Sequence, residues 1–132
     1  MKKLLLTVQV DCGEPLSVRG SEREVVMVPF CGYAYGEDFN GKVMGTGVDT
    51  QKYSLSGGEK TLSARYILEG KDKTGTQCRI FIENELRNNG CWQPCIVTDS
   101  KYLIEWEKIP LAATVDAAGS GVCVKIYAQD LS

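Results

Sequence analysis

The polar residues of this chain that could carry chemistry are few, and the most suggestive fall between Asp49 and Asn84. Asp49, Gln51, Tyr66 and Asn84 interrupt runs that are otherwise apolar. A carboxylate among apolar side chains loses hydration, which raises its pKa and suits it to act as a base near neutrality. A tyrosine hydroxyl and an asparagine amide beside it would donate hydrogen bonds to a carbonyl or to negative charge developing there. The competing reading gives Asp49 to the backbone, as an acceptor for N–H groups of the Gly45-Thr46-Gly47 bend, with the other three satisfying the core.

Arg65 and Glu83 form a second candidate. A guanidinium clamps a carboxylate bidentately, and a neighbouring acid keeps it oriented, so an anionic ligand would suit this pair if it lines the interior. On an exposed face the two make only a cross-strand ion pair worth a few tenths of a kcal/mol. Cys91 and Cys95, with Cys78, invite a zinc or redox reading, but no second closely spaced cysteine pair accompanies them. The chain has no histidine, the usual near-neutral base and commonest metal ligand. No metal and no cofactor is therefore expected. Any catalysis would rest on Asp49, Tyr66 or Arg65.

The elements that must position these residues read as β-strands. Fourteen glycines, frequent β-branched and aromatic residues, and recurring turn signals are the pattern of an all-β domain. Leu4, Leu6, Val8 and Val10 share one face of a first strand. Val25 to Phe30 is a continuous apolar run, expected of a strand covered on both sides, with Pro29 marking a bulge or an edge. Gly57-Gly58 reads as a two-residue hairpin loop. That loop sets Tyr53 opposite Leu62, Gln51 opposite Ala64 and Asp49 opposite Tyr66. The next loop, Lys71 to Gly75, sets Leu68 opposite Cys78, Tyr66 opposite Ile80, Ala64 opposite Ile82 and Leu62 opposite Asn84.

Both registers match apolar with apolar, and they sort the polar residues by face. Asp49, Gln51, Tyr66 and Asn84 lie on the mainly apolar face; Ser63, Arg65, Glu69, Arg79 and Glu83 lie on the other. From Leu86 to Val97 the period fails, and an ordered loop over a barrel mouth is expected. Thr98-Asp99-Ser100 would cap a short helix through Trp106, with Leu103 and Trp106 facing the core and a strand as the alternative. Leu111 to Val115 and Val122 to Ala128 form a last hairpin.

At 132 residues the chain is expected to be one domain, with a core large enough to need no staples. The formal charge of −2 and the absence of a basic run exclude a nucleic-acid binder. The N-terminal apolar run is short, broken by Thr7 and Gln9 and closed by Asp11, so it reads as a strand, and nothing reaches the length of a membrane span. Six cysteines without an export signal are expected to be reduced thiols, and a cytoplasmic location follows.

The glycine bend and the strands after it resemble the domain of unknown function 3237 family, also catalogued as uncharacterised protein family 0311. The residues that carry the resemblance are Gly41-Lys42-Val43, Gly45 and Gly47 with Asp49, Ala64 to Leu68, and Ile80 to Asn84, with an echo at Thr98 to Leu103. It spans roughly Val25 to Tyr127. The resemblance implies a compact antiparallel β-barrel with no assigned activity. Thr46, Thr50 and the cysteine-rich segment after Asn84 depart from the family's pattern.

The expectation is a single-domain antiparallel β-barrel of about eight to ten strands, with at most one short helix near residues 99–106. Its leading function is to bind a small organic molecule near Asp49, Gln51, Tyr66 and Asn84, with Arg65 and Glu83 as further ligand-binding candidates. The alternatives are a cofactor-independent enzyme of isomerisation, dehydration or cyclisation, and a structural homo-oligomer, a homodimer in its simplest form.

Overall fold

A computed structural model of the chain describes residues 2–129. Ten strands follow in order: β1 Lys2–Cys12, β2 Leu16–Arg19, β3 Arg23–Tyr35, β4 Phe39–Val43, β5 Gly47–Ser54, β6 Lys60–Asp72, β7 Gln77–Leu86, β8 Trp92–Thr98, β9 Leu111–Ala118 and β10 Gly121–Gln129. Eight staves close a barrel, in the order β1, β10, β9, β8, β7, β6, the collinear pair β4/β5, and β3, which returns to β1. All pairings are antiparallel.

Two staves are broken, and their breaks are written in glycine and proline. β4 and β5 run end to end between β3 and β6, separated by Met44-Gly45-Thr46, where Gly45 adopts φ +62°. That left-handed conformation is open to glycine at little steric cost. β1 and β2 likewise follow one another along β3, with Gly13-Glu14-Pro15 between them. Pro29 sits where the neighbour of β3 changes, and its carbonyl accepts from Gly13 N at 2.7 Å. Its missing N–H therefore falls in a gap of the ladder.

The inward positions change character along each strand. At one end Leu6 and Val8 of β1, Leu68 of β6, Ile80 and Ile82 of β7 and Ile126 of β10 are fully buried and pack together with Phe39. Leu103 and Trp106, on the segment between β8 and β9, close this end, and both are buried as their i, i+3 spacing predicts. Asp72 anchors the closure by accepting from Thr74 N, Thr74 Oγ1, Thr76 N and Ser100 Oγ. Towards the other end the same strands present Val10, Ala64, Asn84 and Val122, and the barrel is hollow there.

Several local expectations are corrected. The β5–β6 pairing is Tyr53↔Lys60, Gln51↔Leu62 and Asp49↔Ala64, and the β6–β7 pairing is Leu68↔Ile80, Tyr66↔Ile82 and Ala64↔Asn84. Each differs by two residues from the register read off apolar matching. The first loop spans Leu55 to Gly58, closed by Ser54 N→Glu59 O at 2.9 Å, and the second is Lys73-Thr74-Gly75, closed by Asp72 N→Thr76 O at 3.1 Å. A slip of two preserves the face of every side chain, so apolar matching alone does not distinguish the alternatives.

The segment from Leu86 to Val97 is not a loop. Leu86 pairs with Trp92, residues 87–91 turn, and β8 continues to Thr98 with Trp92, Pro94, Ile96 and Thr98 on the inner face. Pro94 disguised the strand; only Trp92↔Ala113 pairs β8 with β9, and such an edge-like strand tolerates a proline. Of the expected cap Thr98-Asp99-Ser100, only Ser100 serves the turn, its Oγ accepting from Leu103 N at 3.2 Å; Asp99 Oδ1 accepts from Arg79 N at 2.8 Å, and the helix is a single 3₁₀ turn at Ile104–Glu107. Val25 to Phe30 is not covered on both sides, because Met27 is exposed on the outer face beside Leu16 of β2.

Candidate functional site

The hollow end of the barrel encloses a cavity of about 300 Å³. Its walls are mainly apolar, with Val28, Leu62, Val115 and Val122 among them, and its polar lining includes Asp49, Gln51, Tyr66 and Asn84. A larger recess of about 490 Å³ lies outside, between Arg23 and the β5–β6 hairpin. It is walled largely by exposed side chains such as Lys52 and Glu59 and holds none of the unpartnered atoms described below.

Gly47 makes the floor of the site possible. A Cβ there would lie 2.5 Å from the Phe30 ring and 2.8 Å from Tyr66 Cβ. Glycine thus lets Phe30 and Tyr66 meet edge to face across β5, with centroids 5.4 Å apart and an interplanar angle of 73°. Because strand side chains alternate, Asp49, Gln51 and Tyr53 follow Gly47 on the same face. Opposite Asp49 is Ala64, and opposite Ala64 on the next strand is Asn84. The alanine methyl between them leaves room for the two polar side chains to approach one another. Tyr66 lies two residues further along β6, about 7 Å along the strand on that same face.

A directed chain of hydrogen bonds fixes the carboxylate. Tyr53 OH donates to Gln51 Oε1 at 2.6 Å, and Gln51 Nε2 donates to Asp49 Oδ2 at 2.8 Å. Among the described residues no backbone N–H of the Gly45-Thr46-Gly47 bend reaches Asp49, so its other oxygen is not spent on the turn. Three buried side-chain oxygens have no hydrogen-bond partner among the described residues: Asp49 Oδ1, Tyr66 OH and Asn84 Oδ1. Buried polar groups are nearly always paired, and a group of orphans in one cavity calls for a bound molecule or water.

Electrostatics follow from the burial. Desolvation raises the Asp49 pKa above the ordinary carboxylate value, and the Gln51 hydrogen bond pulls it partly back. Burial pushes the Tyr66 phenol well above its usual range, so it remains protonated. Cys12, on the cavity wall, has its thiol raised by desolvation first and then by the charges of Asp49 and Asp11.

The remaining candidates lie elsewhere. Arg65 and Glu83 are cross-strand neighbours on the outer face, 3.7 Å apart, with side chains 54% and 31% exposed. The structure therefore does not bring them to the cavity, because they alternate with the inward residues Ala64, Tyr66, Ile82 and Asn84. Cys91 and Cys95 are exposed and Cys78 is buried near Gly70; among the described residues no three His, Cys, Asp or Glu side chains are grouped to hold a metal. Trp92 lines the cavity, whereas Trp106 belongs to the closed end. Tyr53, Phe30 and Cys12 were not singled out by sequence reasoning. The two-residue period from Gly47 was a signal for Tyr53; the role of the others depends on pairing across β1, β3 and β5.

A family model described as "Protein of unknown function (DUF3237)" matches residues 2–85, well over half of the chain. The chain belongs to the DUF3237 family. The match runs from β1 to β7 and contains Asp49, Gln51, Tyr66 and Asn84. It begins earlier and ends sooner than the resemblance read from the motifs, and Thr98 to Leu103 lie beyond it.

No curated protein matches the chain. Among solved structures, a protein of unknown function from Clostridium acetobutylicum superposes with TM-score 0.77 at 18% identity, covering 98% of this chain and 99% of that one. An enzyme from Penicillium herquei superposes with TM-score 0.72 at 13% identity, over 98% of this chain and 94% of that one. A β-barrel-like protein from Acinetobacter baumannii gives TM-score 0.72 at 14% identity, over 97% and 94%. At these identities the likeness shows the fold alone, a β-barrel that extends over nearly the full length of this chain. Among the described residues no helix is long and apolar enough to cross a membrane.

Proposed function

We propose that this DUF3237 protein is a cytoplasmic small-molecule-binding barrel whose ligand occupies the cavity beside Asp49, Tyr66 and Asn84. The observation that carries the reading is the group of three buried, unpartnered oxygens on the wall of one mainly apolar cavity. Leaving a buried polar atom unpaired costs about 1–3 kcal/mol, and a ligand that pairs them recovers that free energy. A few polar groups in an apolar, largely preformed cavity are the usual anatomy of a small-molecule site, and about 300 Å³ is at the lower end of its usual size. Six free cysteines fit a reducing compartment.

The test is a fragment screen by methyl-resolved NMR. Binding in the cavity shifts the methyl resonances of Val28, Leu62 and Val122, and the hits weaken in Asp49→Asn and Tyr66→Phe. Hits that shift only outer-face methyls, such as those of Leu16 and Val18, would contradict the reading.

A second reading is favoured by the raised pKa of Asp49 beside a protonated phenol, and by the enzyme from Penicillium herquei that shares the fold. The Asp49 carboxylate takes a proton from the carbon next to a substrate carbonyl, and the electron pair moves to the carbonyl oxygen, where Tyr66 OH donates to it. Return of the proton to another carbon gives an isomer without a cofactor. A cavity ligand that exchanges its α-proton for deuterium in the wild type but not in Asp49→Asn would establish this second reading over simple binding.

A further inference from the structure

The charge of the ligand is legible in what the cavity contains. Among the described residues on its wall none is Lys or Arg, and the chain has no His, while Asp49 supplies a carboxylate. Arg65, next to Tyr66 in sequence, lies on the outer face against Glu83. The carboxylate is therefore uncompensated inside the barrel. Its neighbours on the wall include three aromatic side chains, Phe30, Tyr66 and Trp92.

The unpartnered atoms add a second constraint. Asp49 Oδ1 and Asn84 Oδ1 are acceptors, and Tyr66 OH also carries acceptor lone pairs. Among the described residues the one donor that reaches Asp49 comes from Gln51, whose own oxygen is held by Tyr53, so this chain of bonds ends on Oδ2 and leaves Oδ1 bare. An ammonium group presents three N–H donors and no acceptor. A neutral alcohol has one donor for Asp49 Oδ1 or Asn84 Oδ1 and can accept from Tyr66 OH, which leaves one of the two carbonyl-type oxygens unserved. An anion would face a carboxylate with no cation to screen it.

We propose that the cavity binds a primary organic ammonium ion, its three N–H groups donating to Asp49 Oδ1, Tyr66 OH and Asn84 Oδ1, with its apolar body against the valine-rich wall. This inference rests on the binding reading above and names the ligand class. Aromatic faces attract the cation further. A cavity of about 300 Å³ has the volume of about ten molecules of liquid water, which suits an amine with a single ring or a short chain.

The test is calorimetric titration of the whole protein with four probes of one shape: 2-phenylethylammonium, its N,N,N-trimethyl derivative, 2-phenylethanol and phenylacetate. Charge-assisted hydrogen bonds are about twice as strong as neutral ones, so the primary ammonium is expected to bind at least about tenfold more tightly than the alcohol. The quaternary ion, which keeps the charge and loses the donors, binds more weakly than the primary one, and phenylacetate does not bind. Asp49→Asn abolishes the preference for the ammonium over the alcohol. Asp116→Asn, which removes a charge from the exposed end of β9, preserves it.

Equal or tighter binding of the alcohol, the carboxylate or the quaternary ion overturns the ammonium assignment and leaves the binding reading standing. Survival of the ammonium preference in Asp49→Asn also overturns the assignment. Failure of all four probes to bind overturns both.

Discussion

Replacing Tyr66 by phenylalanine should stabilise the free protein, the reverse of what deleting a buried hydroxyl ordinarily does. Tyr66 is 5% exposed, and its hydroxyl has no partner among the described residues. Phenylalanine keeps the ring, and with it the edge-to-face contact with Phe30 at 5.4 Å. The only loss is the oxygen, whose unpaired burial costs about 1–3 kcal/mol. Water in a cavity of about 300 Å³ offsets part of that, so the gain is set at the low end, about 1 kcal/mol.

With an unfolding entropy of about 2.1 cal/mol/K per residue, 132 residues give about 280 cal/mol/K, and 1 kcal/mol becomes a rise of about 4 °C in Tm. A hydroxyl with a good protein partner would lower Tm by a similar amount when deleted, because such bonds contribute about 0.5–1.5 kcal/mol. The two outcomes are separated by about 8 °C. Calorimetry of ligand-free protein, with a urea titration to check that the m-value is unchanged, makes the comparison. A fall of several degrees in Tm with an unchanged m-value would show instead that the hydroxyl is held by the protein itself.

Further predictions concern the supports of the site. Gly47→Ala drives a methyl into the Phe30 ring and Tyr66 Cβ, so it should destabilise the barrel by about 1–3 kcal/mol and weaken cavity binding in the same preparation; an unchanged urea midpoint would contradict the packing described. Asp49 has a folded pKa above its unfolded value of 3.8, so the native state binds more protons and stability should fall as pH rises from there through the raised pKa. Urea titrations across that range should show the fall in the wild type and not in Asp49→Asn; the same pH dependence in both would contradict it. Asp72 behaves with the opposite sign: hydrogen bonds, that from Thr74 Oγ1 foremost, hold its folded pKa below 3.8, so its stabilisation is present above that value and is lost as pH falls through the depressed one. Asp72→Ala should therefore be less stable than wild type at neutral pH and lose less on acidification, and parallel acid limbs would contradict this.

The barrel was legible because turn chemistry and period-two alternation are local signals. The sorting of Asp49, Gln51, Tyr66 and Asn84 onto one face, and of Arg65 and Glu83 onto the other, was legible for the same reason, and it survived two hairpin registers misread by two residues each. Loop length decides register, and Leu55 to Gly58 contains two glycines that satisfy either a two-residue or a four-residue turn. β8 was hidden by Pro94, whose effect depends on the sparse pairing with β9 and therefore on tertiary structure. The contact of Phe30 with Tyr66 through Gly47 joins strands distant in sequence, so no local pattern announces it. Nor does composition reveal that three particular oxygens are left without partners, since that follows from every neighbour at once.

Whether those three oxygens belong to a ligand site is decided by native mass spectrometry of protein purified gently from its own organism. The expected spectrum shows an adduct that the cavity can hold, released on denaturation and lost from Asp49→Asn and Tyr66→Phe. An adduct retained undiminished by both variants would contradict it, as would bare protein whose spectrum stays unchanged when concentrated metabolite extract is added.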